Sequence, residues 1–377
     1  MLRNLRLVRS LISIAPVQSG PSLALLAHAG GFAWWYAELR DEAGNGAVLI
    51  WSWALPFLPG LASAARQGEP QVIGSRPSVN LAVYREGKRD AYWLEEVEPA
   101  DATWDGAGHW SFGDSVITLI DETDPAGVVR SHLEARLSLR TPGASARLDA
   151  TLKLSGPAAR IDAGAWDTKH VWTPLTGPSS ATFDGQCGEL SWSIDGPAYL
   201  DRNHGTAMLD ELGIDTWLWG HGVFGDEQRI AYILMPEGGG EPTAFGVSID
   251  SSGNATIASG LHAELERPKT SRYGMPWWPE WTVATDDGAW LTIRNEPCVD
   301  SGPFYLRYLA TATRPDGQTA IGSSEVIRPR RIDLAYHRPL VRMRVGHRTQ
   351  PTSVWLPLFS GPRAGRVGRL LASWMGA

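Results

Sequence analysis

The chain has 377 residues, 43% hydrophobic and 20% charged, a balance that supports folded cores and excludes a disordered chain. Its net charge of −7 excludes a generally basic nucleic-acid binder. Cys187 and Cys298 are the only cysteines, too few and too far apart for a disulfide framework or a zinc site, and are expected as buried free thiols.

The length suggests two or three domains. Eighteen Trp outnumber both Tyr and Phe. Trp combines a large flat apolar area with one polar handle, so the surplus points to an aromatic cavity as well as an aromatic core. Charge is uneven: before Glu38 only Arg3, Arg6 and Arg9 are charged, and from Arg328 onward ten Arg face one acid, Asp333.

Residues 1–29 read as a basic tail, a targeting segment or a short amphipathic helix, with Arg3, Arg6 and Arg9 at helical spacing. Apolar Leu49 to Leu61 is broken by Pro56, Pro59 and Gly60 and reads as a buried strand leading into a loop. No run of 18 uncharged apolar residues suits a spanning helix. From Gly30 to about Met343, six pairs of short β-rich runs flank tight turns. These pairs are 34–39 with 48–53, 79–84 with 91–94, 133–139 with 147–154, 245–249 with 255–258, 281–285 with 289–293, and 305–313 with 319–326. Such pairs predict an antiparallel all-β protein. In Leu148–Leu154 every second residue is apolar, as where one sheet face meets water. Closure into barrels removes exposed edges, and about eight strands leave room for a small ligand. Two such barrels fit the length: 30–188 and 189–345, joined near Gly185–Glu189. Residues 346–377 form a basic, apolar C-terminal segment. There Arg363, Arg366 and Arg369 precede Leu370, Leu371, Trp374 and Met375. This suits either a membrane-surface helix or a helix packed on the protein with its arginines in water.

The densest chemistry lies in Trp192 to Phe224, which gathers Asp201, Asn203, His204, Asp210, Trp217, Trp219 and His221. Asp, Asn and Gly are depleted from strands, so Tyr199 to Gly205 is expected to be a strand end opening into a loop. It is either a site or a turn in which Asp201 and Asn203 bond their own backbone. P-loop, His-Glu-x-x-His, Cys-x-x-Cys and Gly-x-Ser-x-Gly motifs are absent. His204, His221 and Asp201 make a thin ligand set, and no metal is expected. What remains is carboxylates near aromatic residues: Asp201, Asp210 and Asp215, with Glu38, Glu95 and Glu96 in the first half. A carboxylic acid walled by aromatic rings stays protonated near neutrality. It can then protonate an alkene, with aromatic faces holding the cation.

Three motifs carry a resemblance to a known family. They are Gly30-Gly31-Phe32-Ala33-Trp34-Trp35-Tyr36, then Gly196 to Gly205 followed by Trp217-x-Trp219, and Pro303-Phe304-Tyr305-Leu306-Arg307 with Glu325 in the returning strand and Arg342-Met343 beyond. In order and spacing the chain resembles the carotenoid 1,2-hydratases (hydroxyneurosporene synthases), lipocalin-like proteins related to tocopherol cyclase. The resemblance implies two tandem lipocalin-like barrels and cofactor-free, acid-initiated addition of water to a terminal double bond of an acyclic carotenoid or related polyprenoid. It implies Asp201 as proton donor, and Tyr199 and His204 are expected as catalytic residues with it. Trp34, Trp35, Tyr36, Asn203, Trp217, Trp219, His221 and Tyr305 would shape the substrate site. The family's Glu-Pro-Leu-Glu after the central motif is here Ala207-Met208-Leu209-Asp210, and its Arg after Trp-x-Trp is His221. The expected protein is cytoplasmic, with peripheral membrane contact through its basic ends and no nucleic-acid partner. Alternatives are an isoprenoid or polyketide cyclase (a pericyclase included) on the same fold, a non-catalytic carrier of apolar ligands, and a carbohydrate-active β-protein.

Overall fold

A computed structural model of the chain describes residues 12–58, 60–163, 167 and 169–375. Arg3, Arg6 and Arg9, expected on a basic N-terminal helix, lie outside the described residues. All six expected hairpins form, and the described residues fold into two large, consecutive, mainly antiparallel sheets with a small two-stranded ribbon, Lys269–Thr270 with Pro276–Trp277. The strands that build the site are β1 (Phe32–Arg40), β2 (Gly46–Trp53), β3 (Pro77–Arg85), β4 (Lys88–Glu96), β5 (Val171–Pro174), β6 (Leu190–Gly205), β7 (Ile214–Val223), β8 (Glu227–Pro236), β9 (Tyr305–Thr313) and β10 (Thr319–Ile327). The first sheet runs in the order Gly346–His347, β4, β3, β2, β1, β6, Ser179–Cys187, Arg147–Pro157, Val129–Arg140, Ser115–Thr123, His109–Phe112 and Ala102–Trp104. The second runs Arg160–Ile161, Asn254–Ile257, Thr243–Asp250, β8, β7, β10, β9, Gly288–Ser301, Glu280–Thr285 and His262–Leu265.

Two expectations change. The stretch Tyr199–Gly205 is strand, the end of the 16-residue β6, and is not a loop. It pairs with β1 on one side and β5 on the other, and these ladders outweigh the poor strand propensity of its Asp and Asn. Its last residue, Gly205, must be glycine, because a Cβ there would lie 2.0 Å from the Lys169 carbonyl oxygen. The turn near Gly185–Glu189, expected to divide two barrels, is a hairpin inside the first sheet, pairing Cys187 with Leu190. The chain changes sheet later, between Gly205 and Ile214. Both cysteines are free, Cys187 buried and Cys298 exposed.

The described residues include four short α-helices: α1 (Leu61–Arg66), α2 (Arg338–Arg342), α3 (Leu356–Phe359) and α4 (Arg366–Met375). The halves are laced together. Arg160–Ile161 pairs into the second sheet, and Gly346–His347 and Gly361–Pro362 return to pair with β4 in the first. Alternation along each strand sorts the side chains into two cores. Trp217, Trp219 and Tyr232 from the second sheet join the large core of the first. Leu218, Ala231 and Ile233, one residue out of phase, pack into a separate core behind the second sheet. The sheets therefore meet face to face across aromatic side chains, and the site lies there.

Candidate active site

Strand pairing brings the first two sequence motifs together. In the β6–β1 ladder Asp201 stands opposite Tyr36 and Asn203 opposite Trp34. In the second sheet Trp219 pairs with Glu325, which pairs in turn with Arg307, and Trp217 and Tyr305 both stand opposite Ile327. Between the sheets is a cavity open to solvent, with about 1040 Å³ of atom-free space including the solvent at its opening. Trp34, Tyr36, Asp201 and Asn203 line one side of it, and Trp217, Trp219, Tyr232, Tyr305, Arg307 and Glu325 the other. Leu340, Val341 and Arg344, on and just after α2, also line it, and Leu340, the one exposed residue among the lining, marks its mouth. A largely apolar, concave space with a few convergent polar groups is the usual form of a small-molecule site.

Asp201 is 4% exposed. Its Oδ2 accepts hydrogen bonds from Tyr199 OH (2.7 Å) and Trp172 Nε1 (2.8 Å). Its Oδ1 has only a long contact, from Asn203 Nδ2 at 3.3 Å. Asn203 Oδ1 in turn accepts from His170 Nε2 (2.9 Å). Burial pushes the Asp201 carboxyl up to about 7, against the two hydrogen bonds on Oδ2, and the Glu325 and Glu38 charges push the same way as burial. Burial also lowers His170 to about 4, so its ring is neutral and Nε2–H is the donor to Asn203. At neutral pH, then, Asp201 is close to half protonated, with its Oδ1 the less occupied oxygen.

Behind this wall lies a second buried carboxylate. Glu38 accepts from Tyr36 OH and, at 2.6 Å, from His221 Nε2. Burial alone would raise Glu38, but the His221 charge and hydrogen bond, helped by Arg40, hold it at about 2. The His221 ring stacks on Tyr199 with centroids 4.6 Å apart, so the ion pair backs the hydroxyl that holds Asp201. On the facing wall Glu325 Oε1 accepts from Tyr305 OH (2.5 Å) and Arg307 Nε (3.0 Å). Arg307 also donates to Tyr84 OH (2.9 Å). Burial therefore holds Asp201 as an acid, while the His221 and Arg40 charges hold Glu38 as an anion.

Of the residues singled out in the sequence, Trp34, Tyr36, Asp201, Asn203, Trp217, Trp219 and Tyr305 line the cavity. Tyr199 and His221 stand directly behind it. His204 and Trp35 do not join them, because each is one residue out of phase with the lining positions. His204 shares its strand face with Arg202, which donates to the Pro16 and Val17 carbonyls. Trp35 packs against Trp51, Trp104 and Trp110 within the first sheet. Among the departures from the family pattern, Asp210 pairs with Arg66 away from the cavity, and His221 holds Glu38. Sequence reasoning missed Trp172, His170 and Tyr232, which come from segments without a motif. Only their aromatic character and their strand alternation could have marked them.

The model of the family described as Carotenoid hydratase CrtC matches residues 143–353. An acyclic carotenoid 1,2-hydratase of Thiocapsa roseopersicina is 26% identical over 318 residues, covering 80% of this chain and 69% of that protein. A hydroxyneurosporene dehydrogenase of Chlorobaculum tepidum is 24% identical over 330 residues, covering 80% and 83%. The crystal structure of an AttH-type protein from Nitrosomonas europaea superposes with a TM-score of 0.55 at 16% identity, covering 83% of this chain and all of that one, which supports the lipocalin-like fold. With more than half its length matched by the family model, the chain belongs to the carotenoid hydratase CrtC family.

Proposed function

We propose that the protein is a hydro-lyase that adds water to a terminal double bond of an acyclic carotenoid or related polyprenoid, with Asp201 as the proton donor. The single observation that carries this reading is the Asp201 carboxyl, buried in an aromatic cavity and raised to about 7 with its Oδ1 the less occupied oxygen. The Oδ1 proton passes to the less substituted carbon of the alkene, whose π electrons form the new C–H bond. A tertiary carbocation remains, and the faces of Trp34, Trp217 and Trp219 stabilise it as aromatic faces stabilise other cations. A water lone pair then forms the C–O bond. Glu325, whose Oε1 is taken by Tyr305 and Arg307, offers Oε2 to orient that water and accept its proton. Solvent returns a proton to Asp201 and removes one from Glu325, so the net change is alkene plus water to alcohol.

The experiment is product analysis after co-expression with an acyclic carotenoid pathway in isotopically labelled water. The expected product gains one labelled water per reacted end. Asp201→Asn keeps the size of the side chain but removes the acid, and should lower turnover by about 10² to 10⁴-fold. An Asp201→Asn variant that still hydrates would remove Asp201 from the role. An unlabelled isomer of unchanged mass would replace hydration by cyclisation.

A further inference from the structure

The C-terminal helix α4 is mounted inside out. Its arginines, expected in water, face the protein. Arg366 donates to the Gly361 and Pro362 carbonyls, and Arg369 to those of Ser360, Pro362 and Ala364. Its apolar side faces solvent instead: Val367 is 63% exposed, Leu371 48%, Trp374 54% and Met375 77%. These positions share one helical face. Trp355, just before α3 and itself exposed, packs edge-on against Trp374 with ring centroids 5.5 Å apart, and exposed Val354 adjoins it. An exposed apolar patch of this extent marks an interaction surface.

The patch is fixed to the cavity. Gly361 and Pro362, which hold Arg366, pair with Tyr92 and Ala91 of β4, and Tyr92 lines the cavity. Arg344, which also lines the cavity, lies over the ring of Phe359 in α3, 5.8 Å from its centroid. Leu340, at the mouth, is exposed. Residues 334–375 contain seven Arg and no acid. The segment's own charge has one sign, although Arg338, Arg344 and Arg348 pair with acids outside it. Arg342 and Arg363 are exposed and form no ion pair among the described residues. Apolar and Trp side chains beside unpaired arginines complement an anionic lipid surface, where Trp sits at the headgroup level and Arg meets phosphate.

We propose that this face, formed by Val367, Leu371, Trp374 and Met375 of α4 with Val354 and Trp355, docks on an anionic lipid bilayer and presents the cavity mouth to it. The apolar side of α4 inserts, and Arg342 and Arg363 meet the headgroups. The proposal stands apart from the reaction proposed above, because vesicle binding is read without substrate.

The test is co-sedimentation of the full chain with phosphatidylcholine vesicles, with and without phosphatidylglycerol. The chain should sediment with the anionic vesicles and be released by salt. Leu371→Ser with Trp374→Ser should raise the lipid concentration for half-binding by at least about tenfold, with an unchanged thermal midpoint. Met375→Asp, at the open end of the helix, serves as a second probe should the double variant fold poorly. Arg363→Glu with Arg342→Glu should weaken binding to anionic vesicles and leave binding to neutral ones unchanged. Absence of wild-type binding, or equal binding by the apolar variants, would overturn the proposal. So would a wild-type dimer that the double variant converts to monomer, which would make the patch an interface between two copies.

Discussion

Asp201 sets up a conflict between stability and chemistry that can be measured. Its carboxyl lies at about 7 in the fold because burial disfavours the charged form, against about 3.9 in an unfolded chain. A group raised in this way contributes stability that is fully present below about pH 4 and lost as the pH climbs through about 7, because the unfolded chain ionises first. The whole difference is on the order of 4 kcal/mol. Asp201→Asn removes the titration and can keep the Tyr199 and Trp172 hydrogen bonds through its amide oxygen. The variant should therefore melt higher than the parent at pH 8 and gain much less at pH 5. Melting curves at the two pH values check this, and an equal offset at both would mean that Asp201 is an ordinary ionised carboxylate. Turnover carries the matching signature. It should be flat below about pH 7 and fall about tenfold per unit above it, as the acid form disappears.

At the scale of strands, the sheets are bound by charged side chains as well as by rings. Glu38 on β1 and His221 on β7 meet at 2.6 Å, 1% and 3% exposed. Arg40 reaches Ser323 (2.7 Å) and Arg307 reaches Tyr84 across the same boundary. Truncating one partner of a buried pair strands the other charge. His221→Ala should cost about 3 to 5 kcal/mol, and adding Glu38→Gln should recover part of it. Denaturant midpoints of the two single variants and the double give the coupling, and strictly additive losses would mean that the pair does not interact. This pair was hidden in the sequence, where the residues lie 183 positions apart in strands of different sheets. Hairpins were legible because a turn and two alternating runs are local. The site strand was misread because Asp201 and Asn203 look like turn residues until Trp172 and His170, from a strand and a turn without any motif, supply their partners. Phase along a strand is equally non-local in its consequence. Trp34 and Trp35 look equivalent in sequence, yet one lines the cavity and the other is core.

For the whole molecule, the position of the cavity constrains how a long substrate binds. In the first sheet the lining strands β4, β3, β2, β1 and β6 span about 19 Å at about 4.8 Å per spacing, and each offers the cavity at most two alternate residues, about 7 Å of strand. Both are shorter than an extended carotenoid, so only one end of such a chain fits between the sheets. In the proposed reaction the remainder leaves the cavity beside Leu340, its exposed lining residue. Contacts outside the cavity are the same before and during proton transfer, so they strengthen binding without lowering the chemical barrier. Acyclic polyprenoids shortened at the unreactive end should therefore keep kcat and raise KM. Steady-state kinetics across a length series, in detergent so that membrane partition does not intervene, separates the two constants. If kcat fell with each isoprene unit removed, the outer chain would be contributing to the positioning of the reacting bond, and the cavity between the sheets would be only part of the active site.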